Sequence, residues 1–305
     1  MHKYDNQLED FFGLNAGGSG ANRETIKDVL ARKLPLRSRL RLLPKVLSRT
    51  ERYVVLGLAV LAIGSILAIP FTSYYHYTNP VPSNGGDFVE GILNEPRLLN
   101  PLLAQANDAD RDIASLIFSG LYRYNGKGIL VPDLAKSMPE ITSDGLSYSV
   151  TIRDDARWHD GVPVTADDVV FTVQTAQNSD YGVPANIRAN WGGVTIERAS
   201  ERVIIFHIDK KYAQFTNNLT LGIIPRHLWS DIRPSNFNLS ELNIKPIGSG
   251  PYQFDALTKN SLGRIASYRL KAWDQFYLGR PHINTITFKF YGSEVDLIKQ
   301  IWGLL

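Results

Sequence analysis

The sequence predicts an α/β domain with a mixed sheet, carried behind one membrane-spanning helix. Three observations lead there. Apolar residues alternate in Leu146–Ile152 (Leu146, Tyr148, Val150, Ile152) and again in Asn284–Tyr291, the period that places every second side chain on one face of a strand. Between such segments lie stretches of helical period. The clearest opens at Thr165, where Asp168 makes a capping-box variant and Val169, Val170, Phe171 and Val173 follow as an apolar face. Finally, Val54–Phe71 is an uncharged apolar run that at ~1.5 Å per residue spans ~27 Å, close to the hydrocarbon thickness of a bilayer.

Length and charge frame these elements. A chain of 305 residues allows about two domains. Residues 1–53 hold eleven Lys/Arg against six Asp/Glu, a balance of +5 in a chain whose total is +3, so the remainder is about −2. The high pI therefore comes from the N-terminal tail and gives no reason to expect a nucleic-acid partner. The chain has no Cys, which excludes disulfides and thiolate metal sites.

In chain order, residues 1–22 are polar and end Gly-rich, the composition of a flexible tail. From Arg23 to Arg52, basic residues interleave with leucines, interrupted by Pro35 and Pro44. That pattern suits an amphipathic segment lying on anionic headgroups, or a topogenic flank that only fixes orientation. Tyr53 on one side of the apolar run and Tyr74, Tyr75 and Tyr77 on the other match interfacial aromatic belts. With the basic excess on the N-terminal side, the N-terminus is expected in the cytoplasm and everything after Tyr77 outside. An uncleaved signal anchor over 54–77 is expected; a cleavable secretory signal is the alternative. Residues 78–86, with Asn79–Gly86 reading NPVPSNGG, make a Pro-stiffened linker.

Beyond it, Phe88–Leu93 reads as a strand and Asp110–Leu121 as a helix with Gly120 at its C-terminal end. Asn125-Gly126 makes a hairpin turn. Val194–Ile196 pairs with Val203–Ile208 across Ala199-Ser200-Glu201, Tyr212–Leu219 is a short helix, and Tyr252–Leu257 with Ala266–Ala272 is a further strand pair. Trp158, in the elbow Arg157–Gly161, is expected to be a buried anchor.

The run SDGLSYSVTIRDDARWHDGVPVTADDVVFT closely resembles the signature of the bacterial extracellular solute-binding proteins of family 5, the oligopeptide-, dipeptide- and nickel-binding components of ABC importers. Upstream, Ile92–Asn125 and LVPDLAKSMPEI are similar to the family's first strand and helix. Downstream, IGSGPYQF (Ile247–Phe254) and FYLGRPHINTITFKFY (Phe276–Tyr291) follow in the family's order. The resemblance implies a periplasmic-binding-protein-like (class II) first lobe with a mixed sheet and an inserted small α/β domain. Mapped here, residues 87–121 and 184–291 form lobe one and 122–183 the insertion. Residues 292–305 then only begin lobe two, so the second lobe is expected to be missing from this sequence. Such proteins are usually tethered by a lipidated cysteine; with no Cys, the apolar helix is expected to anchor this one through residues 54–71. The implied partners are a peptide or other small solute and the permease subunits of an ABC transporter, with no cofactor.

Catalytic and metal chemistry have little support in the residues. Asp160 belongs to a turn, Asp167 and Asp168 to a helix first turn where anions are favoured, and Asp154-Asp155 to a strand end. The histidines show no ligand spacing. Ser249 lies in Gly248-Ser249-Gly250-Pro251, where Pro251 removes a donor that an oxyanion hole would need. Binding by extended-backbone pairing is the expectation instead. The resemblance places Gln105, Ala106, Asn107 and Asp108 at the ligand, with Tyr181, Asn190, Trp191 and the turn Gly248, Ser249 and Gly250 near the cleft. For Asn107 a local Asx turn, and for Trp191 burial as core, are the bland alternatives. A ligand-sensing receptor on the same fold, or a truncated product without binding activity, are the alternative functions.

Overall fold

The computed structural model describes residues 48–78, 82–104, 107–212 and 214–301. The expected tail, most of the basic stretch, Asn79–Val81, Gln105, Ala106 and residues 302–305 lie outside them. The chain divides into two units, residues 1–81 and 82–305.

In the first unit, helix α1 (Arg49–Tyr77) starts at a capping box. Ser48 Oγ receives the Glu51 N–H, and the Glu51 carboxylate receives the Ser48 N–H at 2.8 Å. The apolar side chains from Val54 to Phe71 are exposed, and the helix is long and apolar enough to cross a membrane.

The second unit is built on two four-stranded sheets. The first has the order β1 (Asp87–Leu93), β10 (Thr285–Tyr291), β9 (Ile265–Ala272), β8 (Tyr252–Lys259). β1 and β10 run parallel and the other neighbours antiparallel, so the sheet is mixed, as expected. The alternation of NTITFKFY sends Ile286 and Phe288 inward, where they meet Tyr268 and Leu270 of β9 in the core.

Helix α2 (Asp108–Ile117) follows β1. It starts and ends earlier than the expected Asp110–Leu121, for two local reasons. Asn107 caps it, accepting the Ala109 N–H. At the other end Phe118 turns extended, and the free Ile117 carbonyl accepts the Gly250 N–H at 2.7 Å. Gly120 is needed for close approach rather than as a helix cap: a Cβ there would sit 2.7 Å from the Thr220 carbonyl oxygen.

A short ribbon, β2 (Tyr122–Tyr124) and β3 (Leu130–Pro132), closes on Asn125, whose Oδ1 accepts the Lys127 and Ile129 N–H groups. The second sheet has the antiparallel order β4 (Glu140–Ile141), β5 (Ser147–Thr151), β7 (Val203–Ile208), β6 (Val194–Arg198). Tyr148, Val150, Ile204 and Phe206 form its buried face. Against it packs α3 (Ala166–Gln177), whose Asp168 carboxylate accepts from Thr165 N at 2.8 Å and Thr165 Oγ1 at 3.1 Å. Because β5 pairs with β7, this sheet draws strands from both sides of the boundary expected at 183/184. The helix expected over Tyr212–Leu219 is confined to α5 (Phe215–Asn218). α4 (Ala185–Asn190), α6 (Arg226–Trp229) and α7 (Glu294–Ile301) complete the unit.

Trp158 is fully buried, as expected. Its elbow is pinned by hydrogen bonds from Trp158 N to Val162 O, Gly161 N to Trp158 O and His159 N to Gly248 O, each 2.8 Å. Nearby Asp168 is buried too. Burial raises its pKa, opposed first by the N–H donors of Thr165 and Arg226.

Candidate functional site

A cleft of about 750 Å³ opens where α2, the β2–β3 ribbon, α4 and α5 converge. α2 and its C-terminal turn supply Arg111, Ser115 and Phe118. The ribbon supplies Arg123, Tyr124 and, just past β3, Asp133, and Asn186, Asn190, Asn217 and Asn218 supply four amides. Hydrogen bonds join these walls. Tyr122 N donates to Leu219 O at 3.1 Å, Tyr124 Oη to Asn217 Oδ1 at 2.7 Å, and Asn218 Nδ2 to Asn190 O at 2.7 Å. The amides thus stand on a framework whose own hydrogen bonding is largely settled, leaving edges for a ligand.

The floor is aromatic. Trp191 is 3% exposed, packs at 6.1 Å from Phe206 and 6.2 Å from Phe215, and still borders the cleft. Asp133, 5% exposed, accepts from Tyr277 Oη at 2.6 Å; the same oxygen lies 2.8 Å from Ser119 Oγ, and Arg153 stands 5.1 Å over the Tyr277 ring. Burial holds the Asp133 carboxyl above the usual carboxylate range, opposed first by the Tyr277 hydrogen bond and then by the Arg123 charge. Burial and the adjacent carboxylate push the Tyr277 phenol up, which keeps it a proton donor.

The residues singled out from sequence separate into several places. Asn190 and Trp191 border this cleft. Asn107 lies in a second, smaller cleft of about 530 Å³, where it caps α2 and donates Nδ2 to Glu95 O, the local Asx role. Asp108 is exposed and paired with Arg111 at 2.7 Å. Tyr181 packs edge-on to Phe237 at 5.0 Å. Gly248, Ser249 and Gly250 are buried against the end of α2, where a Cβ on Gly248 would overlap the Ile117 carbonyl oxygen and one on Gly250 would sit 2.6 Å from Leu116 O. Gln105 and Ala106 fall outside the described residues. Arg123, Asp133, Asn186, Asn217 and Asn218 were not singled out from sequence; they meet only through the packing of ribbon on helices.

The family model for bacterial extracellular solute-binding proteins, family 5 (middle), matches residues 130–300. The oligopeptide-binding protein AppA of Bacillus subtilis is 32% identical over 216 residues, 68% of this chain and 37% of that protein. The AppA structure in complex with a nonapeptide superposes with a TM-score of 0.65 at 30% identity, covering 74% of this chain and 44% of that one. NikZ from Campylobacter jejuni, in complex with Ni(L-His), superposes with a TM-score of 0.61 at 30% identity, covering 74% and 43%. The chain thus spans less than half the length of the relatives it matches.

Proposed function

Because the chain belongs to the bacterial extracellular solute-binding proteins of family 5, we propose that it captures peptides outside the cytoplasm for an ABC importer, with the amide-lined cleft as its part of the ligand site. Members of this family bind solutes for import and are not enzymes.

The observation that carries this reading is the cleft wall itself. An extended peptide presents an N–H and a C=O at nearly every residue, and each needs a partner when water is displaced. A carboxamide both donates and accepts, so Asn186, Asn190, Asn217 and Asn218 can satisfy main-chain groups without reading side chains. Phe118 and the edge of Trp191 supply apolar surface for whatever side chain lies above them. The peptide-bound relative AppA supports peptides as the ligand class.

We place α1 in the membrane as an anchor, with residues 1–53 cytoplasmic and the second unit outside, delivering solute to permease subunits. The basic excess before Val54 supports that orientation. Within the second unit, we assign lobe one to the mixed sheet with α2, and the inserted domain to the antiparallel sheet with α3, extended through β7 because β5 pairs with it. Calorimetric titration of the detergent-solubilised chain with a pool of random short peptides tests the function. Saturable heat at millimolar concentration or below, about 4 kcal/mol or more of binding free energy, is expected. A flat titration at ten millimolar peptide overturns it.

A further inference from the structure

The charges along the cleft are unequally committed. Arg111 is held by Asp108 at 2.7 Å. Asp133, the carboxylate of the lining, is almost wholly buried and accepts a hydrogen bond from Tyr277 Oη at 2.6 Å. Arg123 is exposed on β2, borders the cleft, and has no carboxylate within 4.0 Å among the described residues. Beside it in sequence, Tyr124 Oη donates to Asn217 Oδ1, which fixes that amide's orientation, and its Nδ2 has no acceptor among the described residues. The wall therefore offers an uncommitted guanidinium fork and an uncommitted amide donor, while its carboxylate is withdrawn.

We propose that Arg123 receives a carboxylate of the bound solute, so that the chain takes ligands with a free carboxylate, such as the C-terminus of a short peptide, over their neutral counterparts. This rests on the cleft being the peptide site. A guanidinium matches a carboxylate with two parallel N–H bonds, and such charge-assisted bonds are about twice as strong as neutral ones. Asp133 leaves Arg123 free for this: it is buried, held by Tyr277 Oη, and forms no ion pair with Arg123 within 4.0 Å. An amidated ligand end would leave the guanidinium facing a neutral carbonyl and lose one of the two bonds.

The test uses the detergent-solubilised chain and two probes: a pool of random tetrapeptides with free C-termini, and the same pool C-amidated. The unmodified chain is expected to bind the free-acid pool roughly tenfold tighter than the amidated pool. Arg123→Gln is expected to bind both alike, at the amidated level, and Arg123→Lys, which keeps the charge without the fork, to retain part of the discrimination. Equal binding of both pools by the unmodified chain overturns the inference while leaving the peptide reading standing. Undiminished discrimination in Arg123→Gln overturns the role of Arg123. If the unmodified chain binds neither pool, the peptide reading fails and this inference with it. If Arg123→Gln binds neither pool, the comparison passes to Arg123→Lys, where loss of all discrimination with binding intact overturns the proposal.

Discussion

Replacing Trp158 with alanine should destabilise the second unit severely. The indole is 0% exposed, so its whole side chain contributes burial energy and nothing of it is already in water. How much of that is lost depends on whether the site can collapse. Here it cannot do so easily, because the elbow backbone is tied by three hydrogen bonds of 2.8 Å, one of them crossing to Gly248. The cavity therefore persists, and the cost falls in the upper part of the usual range for such truncations, roughly 4 to 5 kcal/mol. For a unit of this size, each kcal/mol lowers the unfolding midpoint by about 2 to 4 °C, so a drop of about 8 to 20 °C is expected in a thermal melt of the solubilised chain. Trp158→Phe should cost less, since an aromatic ring still fills most of the site. A shift below about 2 °C in the alanine variant would refute the reasoning, because it would mean the ring is not a fixed part of the core.

Gly250→Ala forces a Cβ to 2.6 Å from the Leu116 carbonyl oxygen and should cost about 1 to 3 kcal/mol, read as a lowered denaturant midpoint; an unchanged midpoint would show that the turn can move off α2. His159 Nδ1 accepts from Gly248 N at 3.2 Å and Nε2 faces Gly250 O at 3.0 Å, an arrangement that suits a neutral ring protonated on Nε2. Burial, the largest cause, lowers its pKa from 6.5 to about 4, so between those values the unfolded chain binds a proton that the folded one excludes, and stability should fall as pH drops from 6.5 toward 4. His159→Gln should flatten that part of the profile; an equally steep loss in the variant would assign it to other groups. A reporter active only outside the cytoplasm, fused after Gly86, should give signal, whereas silence there with signal from an N-terminal fusion would reverse the topology.

Local elements were legible in the sequence because their causes are local. The alternation from Leu146 to Ile152 and the Thr165–Asp168 capping box each state their structure within a few residues, and both appear as read. The cleft was not legible, because its polar groups come from segments that share no pattern. Arg123 is one residue of a three-residue strand, and Asn186, Asn217 and Asn218 sit on helices of six and four residues. The hydrogen bonds from Tyr122, Tyr124 and Asn218 join these segments into one wall. The turn Gly248–Gly250 shows the converse. A Gly-Ser-Gly-Pro sequence suits a backbone that approaches a ligand, but here the close approach is to the carbonyls of Leu116 and Ile117. Glycine reports that something is near, without saying what. The pairing of β5 with β7 was not legible either, because the two strands lie more than fifty residues apart, a separation at which periodicity carries no information about partners.

The most direct test of the central claim is amide hydrogen exchange on the chain with and without a saturating pool of short peptides. If the cleft holds the peptide, protection should rise in the segments around Ser115–Tyr124, Asn186–Trp191 and Asn217–Gly222. The second cleft around Glu95 and Arg264 should be unchanged. Protection confined to that second cleft, with the three segments unaffected, would contradict the account.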